Sequence, residues 1–381
     1  MFMLLKGGEC YAPHYDGKKD ILIALDKICR IEDEIPQDKF WDLKIIDCNE
    51  KIIIPGLIDQ HVHILGGGGE EGAISRIPEI QLSEIICAGV TTVVGVLGFD
   101  SITRNISNLL AKANSLEAEG ITTYIYTGSY SLPTNTLTGK ISTDIALIDK
   151  IIGVGEIALS DYRSSHPNLQ SLKELAIEAR KGGMIGSKAG IVHFHIGDGK
   201  SGIMQLFRLI EESDYPIDMF IPTHINRNRK LFEQGIKFIQ MGGYIDITAG
   251  ETSDKGYSFP EAMEVIKKGN NDFKKITFSS DGNGSNMGNG ICKISQMFND
   301  MRDSILNNKM DISTVIGTAT INVAKFLKIY PKKGTIQVGS DADVVILDKS
   351  TLAIDTVISN GKVFMEDGKI IKRGKFEKYL N

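Results

Sequence analysis

A (β/α)8 TIM-type barrel with a small β-sandwich domain formed from both chain ends is the α/β fold expected of these 381 residues. Through the middle of the chain, apolar strand-like runs alternate with amphipathic helical stretches, and at both ends short β-type runs follow one another without helical period. A third observation agrees: most of the histidines fall where the middle runs end.

Residues 1–54 hold ILIALDKICRI and DLKIIDCNEKIII, short strands with acidic and glycine turns, and form the N-terminal part of the small domain. The barrel is expected over 55–332. Its eight strands read as IIIPGLIDQHVH, TTVVGVLG, TTYIYTGSY, IGVGEIALS, IVHFHIG, MFIPTHIN, YIDITAG and ITFSSDG. Helix-like segments such as SITRNISNLLAKANSLEAEG and SLKELAIEARKGG lie between them, several ending in glycine as helix C-termini often do. Eight strand–helix units joined by right-handed crossovers close naturally into a barrel. Residues 333–381, with GTIQVGSDADVVILD and DTVISNGKVFMEDGK, return to β character and pair with the N-terminal runs in one small sheet domain.

The bulk numbers exclude several classes. An apolar fraction of 42% with 24% charged residues is that of a globular chain. A net charge of -5 argues against a nucleic-acid partner, which needs a basic stripe. No apolar run approaches the roughly 20 residues that cross a bilayer, and MFMLL is too short for a signal-peptide core. Five cysteines without a C-x-x-C pair fit a reducing compartment, so a cytoplasmic location is expected.

The chemistry gathers at strand ends. His61 and His63 end the first strand, and alternate residues of a strand share a face, so their imidazoles converge. Tyr130 ends the third strand, Glu156 lies in the fourth with Arg163 just beyond, His195 ends the fifth, His224 the sixth and Asp281 the eighth. That face of a barrel is where active sites are built. His14 and His166 stay outside the pattern. His193 shares a face with His195, so the sequence leaves either as the ligand; His195, nearer the strand end, is favoured and His193 is read as its support. Four imidazole nitrogens and two carboxylates suit two divalent cations such as Zn²⁺. His61, His63 and Asp281 would hold one, His195 and His224 the other, with a carboxylate bridging. Two cations that close share a hydroxide and make it a nucleophile at neutral pH, and Asp281 can pass its proton to the leaving group. The glycine run 66–69 reads as a flexible loop; no G-K-[ST] follows it, so nucleotide binding is not expected.

PGLIDQHVH, HVHILGGGGEEG, TGSY, SDYRS, THINRN and SSDGNGS, in this order, resemble the isoaspartyl dipeptidases (β-aspartyl peptidases) of the amidohydrolase superfamily, and the tail GTIQVGSDADVVILD resembles the closing segment of that superfamily's β domain. The resemblance implies a two-metal centre that hydrolyses the amide made by the side-chain carboxyl of aspartate, in a homo-oligomer with a small dipeptide as substrate. It implies that Glu70, with Gly68 on the same loop, binds the substrate ammonium end, and that Arg163, Arg227 and Ser285 hold its carboxylates. Tyr130 would donate to the oxygen that becomes negative. Where the family carries a carbamylated lysine between the metals, this chain has Glu156, on a shorter side chain. The backbone must then come closer, and Gly155, an extra residue, would permit a bulge. Phe99 stands where the family usually has threonine. Two other readings stay open: an amidohydrolase acting on N-acyl amino acids or cyclic amides, and a non-catalytic barrel scaffold.

Overall fold

The computed structural model describes residues 2–37, 42–252, 254–286 and 290–377. Its central strands are β1 (Leu57–Val62), β2 (Val90–Gly95), β3 (Thr122–Thr127), β4 (Ile151–Leu159), β5 (Ile191–Ile196), β6 (Phe220–Thr223), β7 (Ile245–Thr248) and β8 (Ile276–Ser279). Strands β1 to β6 pair in parallel and in chain order, and β7 pairs with β8. Nearly every residue in these strands is buried, as parallel strands covered by helices require.

Side chains complete the ring. The Asn226 amide, just past β6, donates to the Thr248 carbonyl and accepts from the Thr248 N–H, both at 2.9 Å. At the other seam, His63 N–H donates to the Gly282 carbonyl at 2.9 Å, carrying the end of β8 onto the end of β1. Deeper in the barrel, buried Asp246 of β7 accepts from Gln60 of β1, Thr223 of β6 and Thr277 and Ser279 of β8. One carboxylate therefore ties four strands together, and its four donors offset the cost of burying it.

Local signals place the helices. Asn105 and Asn168 accept from the N–H groups of Asn108 and Ser171, capping the helices Ile106–Glu119 and Leu169–Gly186. The first of these ends at Gly120, whose φ of 122° suits glycine alone and whose added Cβ would lie 2.6 Å from the Phe364 ring. Among the described residues, no helix is long and apolar enough to cross a membrane.

Both chain ends join one mixed sheet of nine strands, in which Lys51–Pro55 pairs with Val344–Asp348 and Phe2–Tyr11 lies between Lys51–Pro55 and Tyr15–Ala24. Met3, Leu5, Ile21, Ile23, Ile53 and Ile346 meet in its own apolar core. The run IIIPGLIDQHVH, expected to be a single strand, is two. Lys51–Pro55 belongs to the end sheet and Leu57–Val62 to the barrel, with Gly56 packed so tightly on the Thr91 side chain that a Cβ would collide with it.

The two units are pinned by Lys333, which is 2% exposed. Its ammonium reaches Asp343 at 2.5 Å, Asp341 at 2.9 Å and the Thr122 hydroxyl of β3 at 2.6 Å. Burial alone would lower its pKa, but Asp343 and Asp341 outweigh that and hold it above the ordinary 10.5. Lys333→Met is expected to lower stability by about 3 kcal/mol, because two carboxylates lose their buried cation. The group is charged in both states below 10.5, so its contribution is complete there and fades as pH rises through the higher folded-state value. Thermal unfolding of both proteins across that range tests this: a gap that fails to narrow at high pH would remove Lys333 as its source.

Candidate metal centre and substrate pocket

At the C-terminal face of the barrel, His61, His63 and Glu156 bring ligand atoms within 4.8 Å of one another, and so do Glu156, His195 and His224. Glu156 belongs to both groups. Its Oε2 lies 3.4 Å from His61 Nε2 and 3.2 Å from His195 Nδ1, and its Oε1 lies 3.5 Å from His63 Nε2. Asp281 closes the first group, with Oδ1 3.1 Å from His63 Nε2 and 3.4 Å from His61 Nε2.

The local chain explains how a glutamate reaches this point. Val154 pairs with Val192 and Ile157 with Phe194, so Gly155 and Glu156 together oppose His193 alone. This is a β-bulge, which pushes β4 inward at Glu156. Glycine is required beside it, since a Cβ at Gly155 would lie 2.7 Å from both the His193 Cβ and its carbonyl oxygen.

Charge and burial oppose one another here, and charge prevails at Glu156, His61 and Asp281. Burial favours a neutral Glu156, but His61, His195 and His63 outweigh it and lower its pKa to about 2. Burial would lower His61, yet Glu156 and Asp281 raise it to about 9. Asp281 is also held well below the carboxylate range, against burial, by His61 and His63. Four buried atoms in the cluster, His61 Nε2, Glu156 Oε1, His224 Nε2 and Asp281 Oδ1, have no hydrogen-bond partner. Buried polar atoms left without a partner are costly, and imidazole nitrogens with carboxylate oxygens are the donor set of divalent cations. The residues fit such ions.

The surrounding atoms orient these ligands. His61 Nδ1 lies 2.8 Å from His193 Nε2, so His193 sits behind the centre, its ring stacked on Tyr126 at 5.1 Å. His224 Nδ1 lies 2.8 Å from the Thr248 hydroxyl, leaving Nε2 to face inward. Asp59 accepts from the His61 and Ser280 N–H groups, both at 3.2 Å. His14 and His166 are exposed, away from the cluster.

A chamber of about 40 Å³ lies over the cluster, lined among others by Gly68, Glu70, Phe99, Tyr130, Arg163 and Arg227. It opens into a cleft of about 680 Å³ that shares Arg163, Arg227, Asp281 and Ser285. The Tyr130 hydroxyl is 2.9 Å from His195 Nδ1, and its ring carries the Arg163 guanidinium at 5.2 Å on one side and meets Phe99 edge-on at 6.2 Å. Glu70 Oε1 accepts from Arg163 at 3.1 Å and from the Ser285 hydroxyl at 2.9 Å. Arg227 lies 3.3 Å from Glu251 and donates to the Ile196 carbonyl at 3.0 Å. Gly68, at φ 78°, has the Ser75 carbonyl where a Cβ would stand, so the loop lining the chamber cannot take this path with another residue there.

Of the site candidates named from the sequence, His63, Gly68, Glu70, Tyr130, Arg163, His195, Arg227, Asp281 and Ser285 line the chamber, while His61, Glu156 and His224 lie in the buried cluster. Asp161, Thr248, Asp59 and Glu251 were not among them. The signals available were faint: Asp161 sits inside SDYRS, and Asp59 interrupts an apolar strand, where a carboxylate needs partners.

A sequence model of the amidohydrolase family matches residues 254–364. The crystal structure of a β-aspartyl dipeptidase from the thermophilic, keratin-degrading Fervidobacterium islandicum AW-1 superposes with a TM-score of 0.92 at 43% identity, covering 97% of this chain and 98% of the other. The same enzyme in complex with the dipeptide β-Asp-Leu gives 0.91 at 42%, with the same coverage. An adenine deaminase of Clostridium acetobutylicum is 24% identical over 86% of this chain, which spans only about half of that relative's length (52%). Near-complete coverage at 43% identity decides the matter: the chain belongs to the β-aspartyl dipeptidases of the amidohydrolase family.

Proposed function

We propose that this chain hydrolyses β-aspartyl dipeptides with two divalent cations, zinc being our assignment, in a reducing cytoplasm. His61, His63 and Asp281 would hold one ion, His195 and His224 the other, with Glu156 shared. The observation that carries the reading is a buried centre of four histidines and two carboxylates beneath a mouth where Glu70 stands with Arg163 and Arg227, beside an Asp100–Arg104 pair that neutralises itself at 3.0 Å. A β-aspartyl dipeptide is a zwitterion with one ammonium and two carboxylates, the complement of that mouth. The relative solved with β-Asp-Leu supports the same reading.

When bound, the cations supply Lewis acidity toward water and the amide carbonyl. The chain supplies the rest. Glu70 exchanges its contacts with Arg163 and Ser285 for the substrate ammonium, which frees the forked guanidinium for a carboxylate. Arg227 takes the other. Tyr130 is pushed well above the ordinary phenol value by burial and by the nearby Glu156 charge, so it keeps its proton and donates a hydrogen bond to the oxygen on which negative charge develops. Asp281, held ionised, takes a proton at Oδ1 or Oδ2 and returns it to the leaving amine.

The test is release of free aspartate from β-Asp-Leu, with α-Asp-Leu as control and metal content measured on the same sample. Turnover of the β-linked isomer alone, with about two metals per chain, is expected; cleavage of both isomers or of neither would overturn the substrate assignment. Glu70→Gln is expected to cut kcat/KM by about 10²-fold, the loss of one charge-assisted hydrogen bond of about 3 kcal/mol, without changing metal content.

A further inference from the structure

Asp161 lies two residues past β4 and two before Arg163, with its side chain 5% exposed. Its Oδ1 accepts from the Arg163 backbone N–H at 2.8 Å and from Arg163 Nε at 3.0 Å. Its Oδ2 accepts from Arg163 Nη2 at 2.9 Å and faces His195 Nε2 at 3.0 Å. A single carboxylate therefore grips two groups with different tasks. One is the guanidinium that borders the chamber; the other is an imidazole of the ligand cluster. With Nε2 occupied by Asp161, His195 has only Nδ1 left to turn toward Glu156, and Nδ1 is the atom found 3.2 Å from it. Gly197 leaves the carboxylate its room, since a Cβ there would lie 2.6 Å from the Asp161 Cβ and 2.7 Å from its Oδ2.

Resting on the ligand assignment above, we infer that Asp161 is a positioning residue that couples the metal site of His195 and His224 to the Arg163 clamp for substrate carboxylate. Carboxylates behind a ligating imidazole raise its basicity and fix its ring, and their removal weakens metal binding by about 10- to 100-fold. Here the same carboxylate also holds Arg163 in place. A ligand that engages Arg163 then strengthens the metal site, and the metal strengthens ligand binding by the same factor.

The experiment uses the full chain, zinc titrated against a chelator, KM for β-Asp-Leu, and L-aspartate as the carboxylate probe. Asp161→Asn is expected to weaken one zinc equivalent by about 10- to 100-fold, leave the other unchanged, and raise KM about tenfold. Arg163→Met is expected to raise KM while keeping both zinc affinities. Saturating L-aspartate is expected to tighten the weaker equivalent in the unmodified protein and in neither variant. If Asp161→Asn keeps both zinc affinities, the inference fails. If both equivalents weaken together and the metal-free protein melts lower, Asp161 is a structural strut and the inference fails as well. If the unmodified protein binds zinc but leaves β-Asp-Leu intact, the substrate reading fails alone, since the zinc titrations still decide the role of Asp161.

Discussion

Asp281→Asn is expected to reduce kcat/KM for β-Asp-Leu by at least about 10³-fold, the range of a lost general base. The amide replaces an oxygen with an N–H2 group at a position 3.1 Å from His63 Nε2 and 3.4 Å from His61 Nε2. That removes the negative charge, puts a donor where an acceptor is needed and leaves no group to carry the proton to the leaving amine. The residue is well placed for the task. It sits two residues past β8 in a left-handed conformation, φ 53°, which a bulky side chain would rarely adopt. Steady-state rates with β-Asp-Leu, taken beside metal content, provide the check. Turnover near that of the unmodified protein would end the proton-shuttle assignment, whatever the metal content.

Glu156→Gln is expected to lower metal content from about two ions per chain to about one and kcat/KM by about 10³-fold, near 4 kcal/mol of lost stabilisation. Glu156 is the only residue common to both ligand groups identified among the described residues. Its carboxylate, held at about 2, stays charged at any pH at which the protein would be assayed. A neutral amide cannot neutralise two cations, and its N–H2 would face His61 or His195 instead of accepting from them. Elemental analysis of the purified variant distinguishes this from a folding defect, which thermal unfolding would reveal separately. Two ions and a normal rate would show that the shared role belongs elsewhere.

What the sequence revealed, and what it concealed, follows from the range of the interactions. The barrel strands were legible because their burial is written as continuous apolar runs, and the candidate ligands stood out because all but Glu156, which lies within its strand, fall at or near the end of such a run. The division at Gly56 was not, since two strands of different sheets meet there without a polar residue between them. Lys333 was equally hidden: KKGTIQ reads as surface charge, and its buried partners include Thr122, 211 residues away. Asp161 looks like one more loop carboxylate until His195 is seen beside it. The residues proposed to act on the chemistry left a pattern in the sequence; those that hold them in place did not, because holding depends on contacts made only when the chain is folded.

The bulge at Gly155 and Glu156 sets the reach of the centre by the length of the main chain rather than of a side chain. The extra backbone position in β4 would stand in for the longer lysine side chain that the resemblance implies, so the two features are expected to change as a pair. Lengthening the side chain at 156 alone would overshoot into His61 and His195, and removing Gly155 alone would restore regular pairing with Glu156 opposite His193 and draw the carboxylate back from the centre. The spacing of this site is thus set by a count of residues. A single insertion or deletion within a buried strand, ordinarily the most damaging of changes, is here the natural partner of a substitution.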